Sequence, residues 1–124
     1  MSKATKQLVW LPEPEDHDYP AAVSYLSLIF DSATVQGQVE ALRGAPMTSF
    51  KAKDIFRASG LSLLGISNSH VAKNRAKIDS GTQLSPLLLV RDPAHGKVIV
   101  ADGYHRLCAV YTDDEDALIP CKIA

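Results

Sequence analysis

The stretch from Lys97 to Tyr111 constrains the fold of this chain most, because its apolar pattern changes abruptly at one glycine. Its residues are KVIVADGYHRLCAVY. The β-branched run before Asp102 is typical of a buried strand, and after Gly103 the apolar residues recur three and four positions apart, as on one side of a helix. The pattern therefore predicts a strand, a glycine turn, and a helix whose first residues include His105 and Arg106.

This turn has the chemistry of an anion site. The N-terminus of a helix exposes unpaired backbone N–H groups and carries partial positive charge. Gly103 lacks a Cβ, so an anion can approach its backbone closely. Arg106 offers a planar set of donors suited to a phosphate, and His105 can add another. The alternative, in which Asp102 caps the helix and both basic side chains are solvated, stays open on these residues alone.

The segment ADGYHRLCAVY, with PLLLV before it and IPCKI after it, resembles the core signature of the ParB/sulfiredoxin superfamily. Members carry a strand, a Gly-x-His-Arg or Gly-x-Arg-Arg turn, an alanine-rich helix and a closing Ile-Pro strand. The resemblance covers about residues 47–124 and implies an α/β (α+β) core with a ParB/sulfiredoxin-like mixed sheet. It also implies a bound nucleotide (ATP, ADP or CTP) whose phosphates contact Gly103, Tyr104, His105 and Arg106.

Two departures from the family bear on the expected activity. Tyr104 stands where sulfiredoxin has its catalytic cysteine, so sulfinic-acid reduction is not expected. Cys108 lies one helical turn later and is expected to pack as a small apolar residue. The resemblance ends with the core fold, which implies a stand-alone member that binds a nucleotide and acts as a small phosphotransferase or nucleotide hydrolase.

Other functions are compatible with the same residues. One is a non-catalytic module that senses a nucleotide or contacts another protein. Another is a ParB-like nuclease, which would need a cluster of metal-binding carboxylates that the sequence does not indicate beside Asp102. In a phosphotransferase, positioning and charge neutralisation do most of the work. Asp102 would then coordinate Mg²⁺ or orient the accepting hydroxyl group, and Lys73 would offset charge on the transferred group.

A second helix is predicted over residues 67–81, with Ser67 or Ser69 as its N-cap. Three basic side chains recur on one face of this helix, at positions i, i+3 and i+7: His70, Lys73 and Lys77. The resemblance implies that this face lines the nucleotide site opposite the glycine turn. An ordinary solvated face is the alternative.

The other elements complete an α/β pattern. An edge strand is predicted at Met47–Phe50, and a loop with inward-pointing leucines at residues 57–65. Leu87–Arg91 reads as a strand buried on both faces, joined by a turn to the strand at Lys97–Ala101. Ile119–Ile123 is predicted as a final edge strand, where Pro120 would be tolerated.

Residues 1–46 lie outside the resemblance and form a tail and a helical hairpin. The first helix is predicted to begin at Pro20 and to bury Val23, Leu26, Ile29 and Phe30. The second follows Asp31 and buries Val35, Val39 and Leu42. We expect this hairpin to pack on the core of residues 47–124, and it offers a surface for a homodimer.

The segment LPEPEDHDYP is too rich in proline to form a regular element. Its five acidic and histidine side chains suggest either a metal site or a solvated acidic loop: Glu13, Glu15, Asp16, His17 and Asp18. The solvated loop is favoured, because the spacing of these side chains is not that of a defined ligand set.

Composition excludes several classes of protein. The net charge of −1 over 124 residues gives no general attraction to DNA. No apolar stretch is long enough to span a membrane, and the N-terminus lacks the apolar core of a signal peptide. Two cysteines provide neither a disulfide framework nor a metal-ligand spacing. A cytoplasmic protein is expected.

Overall fold

The computed structural model describes residues 8–65 and 68–124. These residues contain five α-helices and four strands: α1 (Asp18–Leu26), α2 (Ser32–Gly44), β1 (Thr48–Lys51), α3 (Ala52–Ser59), α4 (Ser69–Ser80), β2 (Leu87–Asp92), β3 (Lys97–Asp102), α5 (Tyr104–Asp113) and β4 (Leu118–Ile123). A single 3-10 turn at Pro93–His95 joins β2 to β3. The α/β fold class predicted from the sequence, a mixed sheet with helices, is confirmed.

The four strands form one sheet in the order β1-β4-β2-β3. The pairs β1–β4 and β2–β3 are antiparallel, whereas β2 and β4 run parallel. β4 therefore lies inside the sheet, and its predicted position at an edge is wrong. Pro120 lacks an N–H group but is tolerated there, because pairing with β2 begins only at Cys121, opposite Leu87.

The two faces of the sheet bury two separate apolar clusters. Successive side chains of a strand point to opposite faces. In β2, Leu87 and Leu89 pack with residues of α3, α4 and α5, whereas Leu88 and Val90 pack with residues of α1 and α2. The prediction of a strand buried on both faces is confirmed. The N-terminal hairpin thus covers one face of the sheet.

The first helix of the hairpin differs from its prediction. α1 begins two residues before Pro20 and ends at Leu26, and it buries Tyr19 and Ala22 together with Leu26. Val23 and Ile29, which were expected to be buried, are exposed. Ile29 lies beyond the end of α1 at Leu26, and Val23 lies off the buried face formed by Tyr19, Ala22 and Leu26.

The second helix of the hairpin agrees with its prediction. The Asp31 carboxylate accepts a hydrogen bond from the Thr34 N–H group at 2.8 Å and caps α2. Val35, Val39 and Leu42 are buried as expected. This helix therefore contributes its predicted face to the cluster beneath the hairpin.

The segment expected to be a loop at residues 57–65 is partly helical, because α3 continues to Ser59. Beyond it, Leu61 and Leu63 are exposed, and only Leu64 packs against the core. The expectation of inward-pointing leucines is therefore wrong for two of the three.

Within residues 8–65 and 68–124, no helix combines the length and the apolarity needed to cross a bilayer.

Candidate functional site

The turn at Gly103 leaves the N-terminus of α5 without a side-chain cap. Gly103 is the N-cap residue, with φ +106° and ψ 16°, and glycine has no side chain to accept hydrogen bonds from the first turn. The Leu107 N–H group donates to the Gly103 carbonyl at 2.8 Å, which places the first intrahelical bond one turn into the helix. The backbone N–H groups that precede Leu107 are therefore those available to an anion.

Gly103 is packed too closely for any other residue. A Cβ atom built on it would lie 2.8 Å from Cγ of Leu87 and 2.9 Å from Nη2 of Arg106. The Leu87 side chain is fully buried. The guanidinium group of Arg106 is thus held directly beside the glycine backbone.

Asp102 holds this guanidinium in place. Nη2 of Arg106 donates to Oδ2 of Asp102 at 2.8 Å, and the two side chains are only 17% and 15% exposed. The alternatives in which Asp102 caps the helix and Arg106 is solvated are wrong. Nε of Arg106 is buried and has no acceptor among the described residues, so one donor of this side chain is unsatisfied.

The environment of Asp102 favours its protonated form more than water does. Burial raises the pKa of the Asp102 carboxyl, the guanidinium of Arg106 lowers it in part, and the carboxyl group of Asp18 raises it again. The net shift in pKa is upward. Two carboxyl groups and one guanidinium therefore form a single cluster behind the turn.

All of the site residues predicted from the sequence except Tyr104 surround one pocket, which we call the basic pocket. It has a volume of about 260 Å³ and is lined by α4 on one side and by the Gly103 turn on the other: His70, Lys73, Asn74, Lys77, Asp102, Gly103, His105 and Arg106. Three of these side chains, Lys73, Lys77 and Arg106, are cationic, and one, Asp102, is a carboxylate. Of this lining, only Asn74 had not been predicted.

The two histidine rings that line the basic pocket are in contact with each other. The rings of His70 and His105 lie 4.9 Å apart, from centroid to centroid. Burial, His70 and Arg106 lower the pKa of His105, in that order of size. His105 is therefore neutral at neutral pH, and a bound anion would favour its protonation.

α4 presents its side and not its end to the basic pocket. Its N-terminus is capped by Asn68, whose Oδ1 accepts from the N–H groups of His70 and Val71 at 3.0 and 3.3 Å. The predicted cap by Ser69 is wrong, and Ser67 lies outside the described residues. Asn74 was missed as a lining residue because an asparagine amid lysines carries no distinctive signal; its Nδ2 donates to the His70 carbonyl at 2.8 Å.

Tyr104 does not line the basic pocket but lies on the opposite side of the turn. There it lines a second depression of about 440 Å³, which we call the aromatic cleft: Ala21, Tyr25, Leu61, Val100, Ala101, Asp102, Gly103, Tyr104 and His105. Burial, together with the neighbouring Cys108 thiol, raises the pKa of Tyr104 to about 12. Its phenol therefore stays protonated at neutral pH and can donate a hydrogen bond.

The acidic segment before α1 is more ordered than a solvated loop. Asp18 is only 2% exposed, and its Oδ2 accepts from the Glu15 N–H group at 2.8 Å. Oγ of Ser85 donates to Glu15 at 2.5 Å. The ligand atoms of Glu15, His17 and Asp18 lie within 4.8 Å of one another. The expectation of a solvated loop is wrong for Asp18, and its approach to Asp102 has no signal in the sequence.

The geometry bears on the expected magnesium ligand. Oδ2 of Asp102 is occupied by the Arg106 guanidinium, which already places positive charge where a cation would bind. Mg²⁺ requires near-octahedral oxygen coordination, and only Asp18 adds a carboxyl group next to Asp102 in the described residues. The arrangement fits a guanidinium partner better than a magnesium ligand, and a magnesium role for Asp102 stays a prediction.

Comparison with protein-family models, with curated proteins and with solved structures finds no match to this chain. The case for a function consequently depends on the geometry of the basic pocket and its surroundings.

Proposed function

We propose that the basic pocket binds the phosphate groups of a nucleotide, as the resemblance to the ParB/sulfiredoxin superfamily implies. One observation carries the proposal: an uncapped helix N-terminus and three cationic side chains converge on the same pocket. Neither feature is specific by itself. Together they provide backbone and side-chain donors from two sides, which is the environment that a tetrahedral oxyanion requires.

The charges of the basic pocket contrast with those of the whole chain. The chain carries a net charge of −1, whereas the pocket contains Lys73, Lys77 and Arg106 against Asp102. The lysines are exposed, so their ammonium groups can reach an entering ligand. Local positive charge on a near-neutral protein favours binding of a small anion over binding of a long polyanion such as DNA.

Arg106 is preorganised for such a ligand. Its salt bridge to Asp102 fixes the guanidinium beside the Gly103 backbone, so little side-chain entropy is lost on binding. Its unsatisfied Nε–H group is a donor that lacks an acceptor in the described residues.

The test is thermal stability in the presence of inorganic pyrophosphate, ATP, ADP and CTP, each with and without Mg²⁺. A ligand that binds only the folded chain stabilises it by about 2.7 kcal/mol at 100 times its Kd, which appears as a higher Tm. A double variant, Lys73→Ala with Lys77→Ala, should lose most of this increase in Tm, because it removes two of the three cationic side chains of the basic pocket. The variant should still fold, because both side chains are exposed and alanine favours the helix.

A matched control is Lys97→Ala, which removes an exposed lysine at the opposite end of β3, roughly 17 Å from the turn at about 3.3 Å per residue. It should bind the same ligands as the unmodified chain. An absence of any Tm increase, or an equal response of the lysine double variant, would remove the proposal.

Phosphoryl transfer by the same site is a second proposal, and it is supported by the carboxyl groups of Asp18 and Asp102. The pKa of Asp102 is raised, and such carboxyl groups are frequent where a proton must be taken from an attacking hydroxyl group or water. In Asp102→Asn the amide oxygen can still accept from Arg106. ATP affinity should therefore be retained in this variant. Turnover of ATP should disappear, because an amide cannot take a proton from the attacking group. Equal turnover in both chains would contradict an acid–base role for Asp102.

A further inference from the structure

The basic pocket and the aromatic cleft share one wall. Asp102, Gly103 and His105 line both, so the two depressions meet at the Gly103 turn. Their chemistry differs sharply. The basic pocket contains three cationic side chains, whereas the aromatic cleft contains two tyrosines, a leucine, a valine and two alanines, with no lysine or arginine.

We propose that the aromatic cleft binds the base of the same nucleotide whose phosphates occupy the basic pocket, so that the ligand crosses the Gly103 turn. This inference rests on the proposed function and extends it in one respect. The site would include Tyr25 of α1, so the N-terminal hairpin would take part in binding as well as covering the sheet.

Exposed apolar side chains support this assignment. Tyr25 and Leu61 are 40% and 41% exposed, although both are large and apolar, and both line the aromatic cleft. They come from different elements, α1 and the loop after α3, and meet only in the folded chain. A planar aromatic ligand placed between them would cover surface that is otherwise left in water.

The floor and the far wall of the cleft suit a base. Ala101 and Gly103, which also line the cleft, carry no bulky side chain. Tyr104 adds a second aromatic ring to the lining of the cleft. A ligand with one polyanionic end and one flat aromatic end matches the two depressions, and a nucleotide has this chemistry.

The experiment is titration calorimetry with inorganic pyrophosphate, which has no base, and with ATP, ADP and CTP. In the unmodified chain at least one nucleotide should bind more tightly than pyrophosphate. Tyr25→Ala should weaken that nucleotide about tenfold, as expected when a stacked ring is removed, and leave the pyrophosphate affinity unchanged. Tyr25→Phe, which keeps the ring, should retain the affinity.

Leu28→Ala is the matched control, because Leu28 is 85% exposed just beyond α1 and does not line the cleft. It should leave every affinity unchanged. Pyrophosphate binding as tightly as every nucleotide would overturn the inference and leave the phosphate site standing. So would a Tyr25→Ala variant that affects pyrophosphate and nucleotide equally or neither. Failure of both pyrophosphate and nucleotides to bind would overturn the proposed function together with the inference.

Discussion

Two helices reach the basic pocket, and their N-termini are built in opposite ways. α4 begins after Asn68, whose side chain accepts from two backbone N–H groups of the first turn. α5 begins after Gly103, which has no side chain to do so. Both helices have a glycine in the left-handed conformation at one end, Gly81 after α4 and Gly103 before α5.

The difference shows how a single pocket can use two helices for different purposes. The capped end of α4 stabilises the helix, and its side presents charged side chains. The end of α5 lacks that stabilisation, and its first backbone N–H groups have no side-chain cap. An internal cap and a set of unpaired backbone donors are therefore alternatives at a helix N-terminus, and α4 has the first whereas α5 has the second.

The largest effect should come from the two glycines. In Gly103→Ala the new Cβ would meet the buried Leu87 side chain at 2.8 Å, in addition to the strain of a positive φ. A loss of roughly 2–5 kcal/mol is expected from strain and overpacking together. Gly81→Ala has the same kind of backbone strain but open space around the Cβ, so a loss of roughly 1–2 kcal/mol is expected.

Urea denaturation of the two variants measures this difference directly, from the unfolding midpoints and slopes. Equal losses of stability would show that Leu87 can yield, and that the close packing of the α5 turn is not what requires glycine at 103.

A smaller effect should follow removal of the cap of α4. Asn68→Ala is expected to lower the free energy of unfolding by about 1 kcal/mol and to leave the pyrophosphate affinity nearly unchanged. Asp31→Ala removes the equivalent cap of α2, away from the basic pocket, and should cost a similar amount. If Asn68→Ala lowered the affinity as strongly as the loss of both lysines, the two helix ends would not have the separate roles described above.

The smallest effect concerns pH and His105. Because its pKa is lowered in the free protein and a bound anion would raise it, binding takes up protons in the range below pH 6.5. Affinity for an anion should rise as the pH falls in that range. Sulfate is the suitable probe, since it does not titrate there.

His105→Gln should reduce this pH dependence. Without ligand, the stability of the folded protein changes with pH in the opposite direction to the anion affinity: it falls as the pH falls. A folded-state pKa below 6.5 means that the stability contributed by His105 is lost as the pH falls from 6.5 through the folded pKa. A sulfate affinity that is flat with pH in the unmodified chain would exclude His105 as a ligand of the anion.

The sequence predicted the elements whose signals are local. The β-branched run, Gly103 and the helical spacing after it correspond to β3, the turn and α5, and the leucine run corresponds to β2. The i, i+3, i+7 spacing correctly grouped His70, Lys73 and Lys77 on one side of a helix. Spacing along a chain is sufficient for features of this kind, because neighbours in the sequence decide them.

Features that depend on tertiary packing could not be predicted. The pattern of Leu118–Ile123 gives a strand but does not say which strands lie beside it, so its interior position was missed. The approach of Asp18 to Asp102 and the pairing of Tyr25 with Leu61 across a cleft both depend on how the hairpin docks on the sheet. Pro20 suggested a helix start, yet two residues before it also adopt helical geometry.

The interior position of β4 affects how the chain folds during synthesis. β4 is the strand that joins β1 to β2, and it is made after both. At about 5–20 residues per second, β1 waits roughly 3–13 s for its partner to be translated. Over that interval the newly made β1 has no partner strand and presents open edges. A ribosome that pauses before Leu118 would prolong this exposure, so translation speed near that codon should influence the yield of correctly folded protein.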